Sequence, residues 1–279
     1  MSKEEAVYGI EKMCRVLEVN RSGYYKRKRN GLGKRSKENK IILERIKEIH
    51  SESQERYGSP RITAELKREG LECNKKRIAR LMNKNGIAAR IFRKYRSTTN
   101  SEHHKERSEN ILSREFDREK ANEVWTSDIT YIRTEEGWLY LAAVLDIYSR
   151  KVIGWELDKR LNTELVEQAL QNALTDRKVE SGIIFHSDQG IQYASESFRK
   201  LLRENGFIQS MSRRGNCYDN AITESFFHTL KTELTSRKRY KTREEARRSI
   251  FEYIEIFYNR KRLHSAIGYC SPVEYEKHT

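Results

Sequence analysis

Three acidic residues in separate, strongly patterned segments are the side chains best suited to chemistry in this chain. Asp128 lies in the strand-like run VWTSDITYI, Asp188 ends the apolar run GIIFHSD, and Glu224 lies in the helical stretch NAITESFFHTLKTEL. The intervals are 59 residues between the aspartates and 35 between Asp188 and Glu224. Mg²⁺ prefers such oxygen ligands, and two ions held about 3.5–4 Å apart stabilise both oxygens of an in-line phosphoryl displacement. The pattern predicts phosphodiester chemistry with two Mg²⁺ ions per site, for which Mn²⁺ substitutes.

The chain carries a positive charge that is spread along its length. Its 279 residues include 56 Lys and Arg against 41 Asp and Glu, which gives a formal net charge of +15. One charge run is usually a solvated face, but several beside a carboxylate set indicate a track for a long polyanion. The basic clusters are KRKR (26–29), KKRIAR (75–80), RIFRKYR (90–96), SRKRYKTR (236–243) and NRKR (259–262). Composition therefore favours a nucleic-acid partner.

Cysteine usage and hydropathy argue against other classes of protein. The four cysteines are scattered without a C-x-x-C pair, so we expect neither a disulfide framework nor a cysteine-based zinc site. No apolar run approaches the roughly 18 residues that indicate a membrane span, and no charged-then-apolar leader follows Met1. We therefore expect a cytoplasmic protein.

Helix start and stop signals predict small helical modules in the first third of the chain. Residues 1–37 read as a short helical or helix-turn-helix segment, and residues 38–93 as a helix-turn-helix DNA-binding domain. In that domain Ser59 with Pro60 is expected to begin one helix, and Asn74 to cap the next. A basic outer face on the second helix is typical of DNA reading; its residues are Lys76, Arg77, Arg80 and Lys84. A plain helical hairpin with solvated lysines is the alternative.

The remaining two thirds predict one α/β domain. Residues 94–118 form a polar linker, and from 119 the pattern gives three consecutive strands, then helix, strand, helix, strand and the Glu224 helix. This order predicts a mixed five-stranded sheet with flanking helices over residues 119–240, which a C-terminal helix and basic tail over 241–279 complete. The predicted strands are 124–133, 138–148, 151–157, 182–187 and 207–211.

Other polar residues near the three carboxylates have more than one interpretation. Lys231 follows Glu224 by seven positions on one helix edge, where it either touches a DNA phosphate or merely solubilises the helix. Asn220 or Asp219 is most simply a helix N-cap, and Asp146 is interpreted as structural because a turn follows it. His186 could orient Asp188 or contact DNA. Further candidates for DNA contact are Arg213, Arg214, Arg260 and Arg262.

The chain resembles the bacterial insertion-sequence transposases of the IS3 family, specifically the product of their second reading frame. The resemblance is carried by WTSDITYI, LDIYSRKVIGW, HSDQGIQYAS, GNCYDNAITESFFHTLKTE, YNRKRLHSAIGYCSPVEYE and YGSPRITAEL, over about residues 10 to 275. It implies a ribonuclease H-like integrase core of the DDE type. In such a core Asp128, Asp188 and Glu224 are the catalytic metal ligands, and Lys231 contacts DNA.

The same resemblance implies a bacterial DNA transposase that binds the terminal inverted repeats of its element. It would cut DNA to expose a 3′-hydroxyl and join that hydroxyl to another phosphodiester, first giving a circular intermediate. Synapsis of two ends implies a homo-oligomer, at least a dimer, and an upstream-frame product is expected as a fused or paired partner. The alternatives are a metal-dependent nuclease of the same fold without strand transfer and a non-catalytic DNA-binding protein derived from a mobile element.

Overall fold

The computed structural model describes residues 7–30, 33–89, 108–112, 116–212 and 220–278. The chain divides into two compact units, Met1–Arg90 and Ile91–Thr279. Most of the predicted linker over 94–118 lies outside the described residues. Within the described part, no helix is both long and apolar enough to cross a bilayer.

The first unit is helical. Its helices are α1 (Ile10–Val16), α2 (Arg21–Asn30), α3 (Lys34–Glu52), α4 (Ser59–Arg68) and α5 (Lys75–Lys84). The last three pack around the completely buried side chains of Ile46, Ile62 and Ile78. This apolar centre explains why α4 and α5 keep their charged residues on the outside.

The predicted helix start is confirmed at α5 and is wrong by one residue at α4. The Asn74 side chain caps α5 by accepting a hydrogen bond of 2.8 Å from the backbone N–H of Arg77. Ser59 is instead the first helical residue of α4, and the cap position belongs to Gly58. Pro60 lies in the first turn, where its missing N–H costs no helical hydrogen bond.

The second unit contains the predicted mixed sheet. Its strands are β1 (Val124–Thr134), β2 (Gly137–Asp146), β3 (Val152–Asp158), β4 (Ile184–Ser187) and β5 (Ile208–Met211), in the spatial order β3-β2-β1-β4-β5. The β1–β2 and β2–β3 pairs are antiparallel, whereas β1–β4 and β4–β5 are parallel. Thus β4, which ends one residue before Asp188, lies beside β1, the strand that contains Asp128.

Helices cover both faces of this sheet. They are α6 (Thr163–Asp176), α7 (Glu196–Glu204), α8 (Ala221–Leu230) with a π-helical turn (Lys231–Thr235), α9 (Arg243–Phe251) with a π-helical extension (Glu252–Tyr258), a short 3₁₀ turn (Ser265–Ile267) and α10 (Pro272–Lys277). One core lies under α8 and α9 and includes Ile132 and Phe226. The other lies under α6 and α7 and includes Trp125 and Phe198. Because side chains alternate between the two faces along β1, this one strand contributes residues to both cores.

Asp146 is a structural residue in this arrangement, as its sequence position indicated. It is completely buried at the end of β2 and accepts hydrogen bonds from the backbone N–H groups of Asn122 (2.9 Å) and Tyr148 (3.0 Å). The Arg177 guanidinium lies 3.5 Å from the carboxylate. Burial raises the pKa of Asp146 to about 6, against the opposing effect of these partners. These contacts stabilise the turn that follows β2, so the Asp146 carboxylate is already occupied within the protein.

Candidate active site

The parallel pairing of β1 and β4 brings the two aspartates side by side. The pairing runs from Val124 opposite Ile184 to Ser127 opposite Ser187. Asp128 directly follows Ser127, and Asp188 directly follows Ser187. Neighbouring strands lie about 4.8 Å apart. Two carboxylates separated by 59 residues of sequence therefore leave adjacent strands at the same level.

Buried hydroxyl contacts dock the Glu224 helix on the same strand. The Thr126 Oγ1 donates to Asn220 Oδ1 at 2.5 Å and lies 2.9 Å from Thr223 Oγ1. Thr126 precedes Asp128 by two residues on one face of β1, and Thr223 directly precedes Glu224. Asn220 occupies the N-cap position of α8 without a side-chain cap, because its amide is engaged by β1. These contacts fix the start of α8, and with it Glu224, beside the strand that carries Asp128.

The three carboxylates are close enough to interact electrostatically. Burial raises the pKa of Asp128 well above its usual value, and the charge of Asp188 raises it further. Glu224 adds to that repulsion, whereas the Lys231 ammonium opposes it. Partial burial and the charge of Asp188 also raise the pKa of Glu224. The group is thus short of positive charge.

The donor set fits hard divalent cations. Its ligand atoms are all carboxylate oxygens, and the mutual repulsion is what a bound cation would offset. Among the described residues, no group of three or more His, Cys, Asp or Glu side chains is already arranged to hold a metal ion. Glu224 is the exposed member of the set. Hard divalent cations such as Mg²⁺ combine one or two carboxylates with waters and phosphate oxygens, so three protein ligands on one ion are not required.

Lys231 lies at the edge of this site. It opens the π-helical turn after α8, where its carbonyl accepts a 2.9 Å hydrogen bond from the Ser236 N–H. Its Nζ lies 4.9 Å from the centroid of the Tyr131 ring. Partial burial lowers the pKa of Lys231, and the nearby charge of Asp128 opposes that shift. The side chain is therefore a cation held beside the carboxylates, and its contact with DNA remains a prediction.

Two residues that the sequence did not single out shape the carboxylate pair. Tyr193 is buried beneath it, with its hydroxyl 2.8 Å from Ser127 Oγ. Burial raises the pKa of Tyr193, and the charges of Asp128 and Asp188 raise it further. Gly190 donates its N–H to Asp188 Oδ1 at 2.9 Å. The run HSDQGIQY contains both residues, but their roles depend on how the loop after β4 folds back under Asp128.

Replacing Gly190 should misplace the Asp188 carboxylate. A Cβ at position 190 would lie 2.9 Å from Asp188 Oδ1, closer than real Cβ contacts allow. We expect Gly190→Ala to lower metal-dependent DNA cleavage on the order of 10²-fold, the effect of a displacement of roughly 1 Å in a reacting group. Cleavage of an end-labelled substrate measures the effect. Gly23→Ala, where an added Cβ meets nothing within 4 Å, is the control, and equal activity of both variants would refute this role for Gly190.

The predicted DNA-contact residues of α5 differ in exposure. Lys76, Arg80 and Lys84 are exposed. Arg77 is largely enclosed, because its Nε donates to Asn39 Oδ1 at 2.8 Å and its Nη2 lies 3.2 Å from Glu38 Oε2. The structure therefore gives Arg77 a role in holding α5 against α3. The exposed cations of α5 remain candidates for DNA contact.

The predicted DNA-contact arginines of the C-terminal segment also differ in exposure. Arg213 and Arg214 lie outside the described residues. Arg260 is exposed and remains a candidate. The predicted DNA contact of Arg262 is wrong in this structure, because the residue is 5% exposed and its guanidinium is paired with the buried Glu233, with Nη2 2.8 Å from Oε1. The basic run NRKR (259–262) therefore contains one arginine that forms a buried ion pair and is not a surface cation.

His186 is likewise internal. It is completely buried in β4, with Nδ1 2.9 Å from Ser210 Oγ and Nε2 3.1 Å from Ser212 Oγ. Of its two predicted roles, direct contact with DNA is excluded in this conformation. The imidazole instead links β4 to β5 and the residue that follows β5, two positions before Asp188.

Models of known families match both units of the chain. An HTH-like domain matches residues 37–95, and two integrase core domain models match residues 118–217 and 224–279. The chain is also 40% identical to transposase InsF for insertion sequence IS3A of Escherichia coli (strain K12), over 99% of this chain and 96% of that protein. The chain belongs to the IS3 family of insertion-sequence transposases. A second relative, the insertion element IS600 uncharacterized 31 kDa protein of Shigella sonnei, is 40% identical over 95% of this chain and 97% of its own length.

Solved structures with partial likeness include integrase and transposase cores. The catalytic core domain of BIV integrase is 18% identical with a TM-score of 0.44, covering 56% of this chain and 95% of that one. The catalytic domain of Mos1 mariner transposase is 17% identical with a TM-score of 0.39, covering 48% and 71%.

Membership of the IS3 family gives the chain its activity class. It is a DNA transposase with an integrase core of the DDE type, a polynucleotidyl transferase. Its five-stranded sheet with flanking helices is the ribonuclease H-like core that the sequence predicted. The HTH-like region precedes that core in the chain.

Proposed function

We propose that Asp128, Asp188 and Glu224 are the catalytic carboxylates of this IS3-family transposase and that they hold two Mg²⁺ ions, for which Mn²⁺ substitutes. The observation that carries the proposal is the register of β1 and β4, which sets the two aspartates on neighbouring strands while α8 docks Glu224 beside them. When bound, such ions stabilise the attacking and leaving oxygens of a phosphoryl displacement.

The chain's own residues position the DNA phosphate for that displacement. The buried Ser127–Tyr193 hydrogen bond holds β1 in place directly before Asp128. Lys231, at the open edge, places its ammonium where a phosphate oxygen needs a charge partner. A water molecule attacks one phosphodiester, and the 3′-oxygen leaves as a 3′-hydroxyl. That hydroxyl then attacks a second phosphodiester and displaces the 3′-oxygen bonded to it, so one P–O bond forms as another breaks. The exchange needs no covalent bond between protein and DNA.

DNA recognition belongs to the first unit in this proposal. The exposed cations Lys76, Arg80 and Lys84 lie along α5, and phosphate neutralisation by such residues provides affinity for DNA. We assign this helix to the terminal inverted repeats of the element. Bringing two ends together requires at least a dimer. The upstream-frame product is the expected fused or paired partner.

Strand transfer separates this function from simple hydrolysis. The terminal sequence can be read from the DNA that flanks the gene, and a duplex with that sequence and a pre-cut 3′-hydroxyl is incubated with the protein, Mg²⁺ and a target plasmid. We expect covalently joined products, because the released hydroxyl is itself the next nucleophile. Plasmid nicking without joined products, in the presence of the upstream-frame product, would instead indicate a nuclease of the same fold.

A further inference from the structure

Aromatic side chains cluster at the end of the β1–β2 hairpin. The strand register sets Tyr131 opposite Tyr140 and Arg133 opposite Trp138, so the four side chains share one face. The Trp138 ring centroid lies 5.1 Å from that of Tyr131, with the ring planes at 86°. Trp138 is 46% exposed, whereas Tyr131 is half-buried. The hairpin thus presents an indole face next to an exposed arginine.

Lys231 connects this face with the proposed catalytic centre. Its Nζ lies 4.9 Å from the centroid of the Tyr131 ring, and its charge acts on Asp128. Tyr131 follows Asp128 by three residues, so the two side chains leave β1 on opposite faces of the sheet, about 10 Å apart along the strand. The pairing of β4 with β1 ends at Ser127, so this edge of β1 is open beside Asp128, and Lys231, which lies near both Asp128 and Tyr131, marks it. A strand whose phosphate is bound at Asp128 could therefore reach the aromatic face around that edge within a few nucleotides.

The end of the hairpin is held in place by α9. The Arg243 N–H donates to Glu136 Oε2 at 2.8 Å, and the Arg243 Nε donates to the Trp138 carbonyl at 3.2 Å. Gly137 between them has φ +110°, a conformation that side-chain-bearing residues rarely adopt. The backbone of Trp138 is therefore anchored although its ring is exposed, which lowers the entropic cost of binding to that ring.

We propose that Trp138 and Tyr131 form a stacking platform for an unpaired nucleobase of the DNA bound at the active site. The inference rests on the proposed function, and it specifies part of the substrate: a frayed or single-stranded stretch next to the reacting phosphodiester. Every base has a π face, so such stacking does not depend on sequence. Arg133 and Lys231 supply positive charge for the adjacent phosphates. If Trp138 and Tyr131 only stabilised the hairpin, exposure of the Trp138 ring beside Arg133, with Lys231 over Tyr131, would add nothing to that stability.

Stacking can be measured on the full chain with a fluorescent base. The probe is a short duplex that ends in an unpaired adenine tract carrying one 2-aminopurine, and a fully paired duplex of the same sequence is the reference. The variants are Trp138→Ala, Trp138→Phe and Ile208→Ala. Ile208 is 45% exposed at the start of β5 and serves as a matched control for the loss of an exposed apolar side chain. Thermal unfolding of each variant shows that it is folded.

We expect the wild-type protein to quench the 2-aminopurine and to prefer the tailed probe. Trp138→Ala should lose the quenching and bind the tailed probe about 10-fold more weakly, with unchanged affinity for the paired duplex. Trp138→Phe should retain much of both effects, and Ile208→Ala all of them. Wild-type quenching and affinity in Trp138→Ala, or an equal loss in Ile208→Ala, would overturn the platform.

The catalytic proposal is tested separately in the same experiment. Asp128→Asn should bind and quench like the wild type but fail to cleave. If Asp128→Asn still cleaved the DNA, the proposed function would fail while the quenching result still decided the platform. If only the quenching prediction failed, the catalytic assignment would stand.

Discussion

Asp128→Asn and Asp188→Asn should each lower DNA cleavage and joining by about 10³-fold or more, equivalent to roughly 4 kcal/mol of lost transition-state stabilisation. An amide has nearly the volume of the carboxylate, so the strand register and the hydrogen bond from Gly190 to position 188 should survive. The amide lacks the negative charge that a divalent cation requires. Rates of single-strand cleavage and of strand transfer, measured on an end duplex in Mg²⁺, give the size of the effect.

Binding to the same end duplex is the companion measurement for these variants. The first unit is untouched, so the affinity should stay within a few-fold of wild type. Asp176→Asn, which replaces an exposed acid at the end of α6, is the matched control and should keep full activity. Joining at a normal rate by either active-site variant would remove that residue from the catalytic set.

Arg262→Met should be the most destabilising single change proposed for the second unit. Arg262 and Glu233 are 5% and 7% exposed, and Tyr253 donates a further 2.8 Å hydrogen bond to the same carboxylate. Removing the guanidinium leaves a buried carboxylate without its counter-charge, which costs about 3–5 kcal/mol. The three tryptophans all lie in the second unit, so denaturant unfolding followed by tryptophan fluorescence reports on that unit.

The double variant Glu233→Gln/Arg262→Met shows whether the cost comes from the unpaired charge. Glutamine keeps an oxygen that accepts from the Tyr253 hydroxyl but carries no charge. We expect it to recover roughly 1–3 kcal/mol relative to Arg262→Met alone, because neighbouring changes in one network do not add. No recovery would mean that packing of the arginine stem, rather than charge pairing, provides the stability.

The fold could be predicted in most of its elements because local patterns determine them. Alternation in VWTSDITYI specifies β1, and the cap at Asn74 specifies the start of α5; both are confirmed. The spatial order of strands has a different origin. Whether β4 pairs with β1 or with another strand depends on how α6 crosses the sheet and which apolar faces it buries, and no short window of sequence contains that information.

The candidate site shows the same division between local and long-range information. The residue types and spacing of Asp128, Asp188 and Glu224 indicate their chemistry, yet the supporting contacts of Thr126 and Tyr193 join positions 97 and 66 residues apart. Arg262 was misread for the same reason. In the sequence it belongs to a solvated-looking run, and its partner Glu233 lies 29 residues away.

Anomalous diffraction from crystals of the protein bound to an end duplex in Mn²⁺ shows where the metal ions bind. We expect a manganese peak between the carboxylates of Asp128 and Asp188, a second near Glu224, and loss of the first peak in Asp188→Asn. Manganese bound elsewhere, with the DNA phosphate in place and none between the two aspartates, would show that these carboxylates are not the metal ligands.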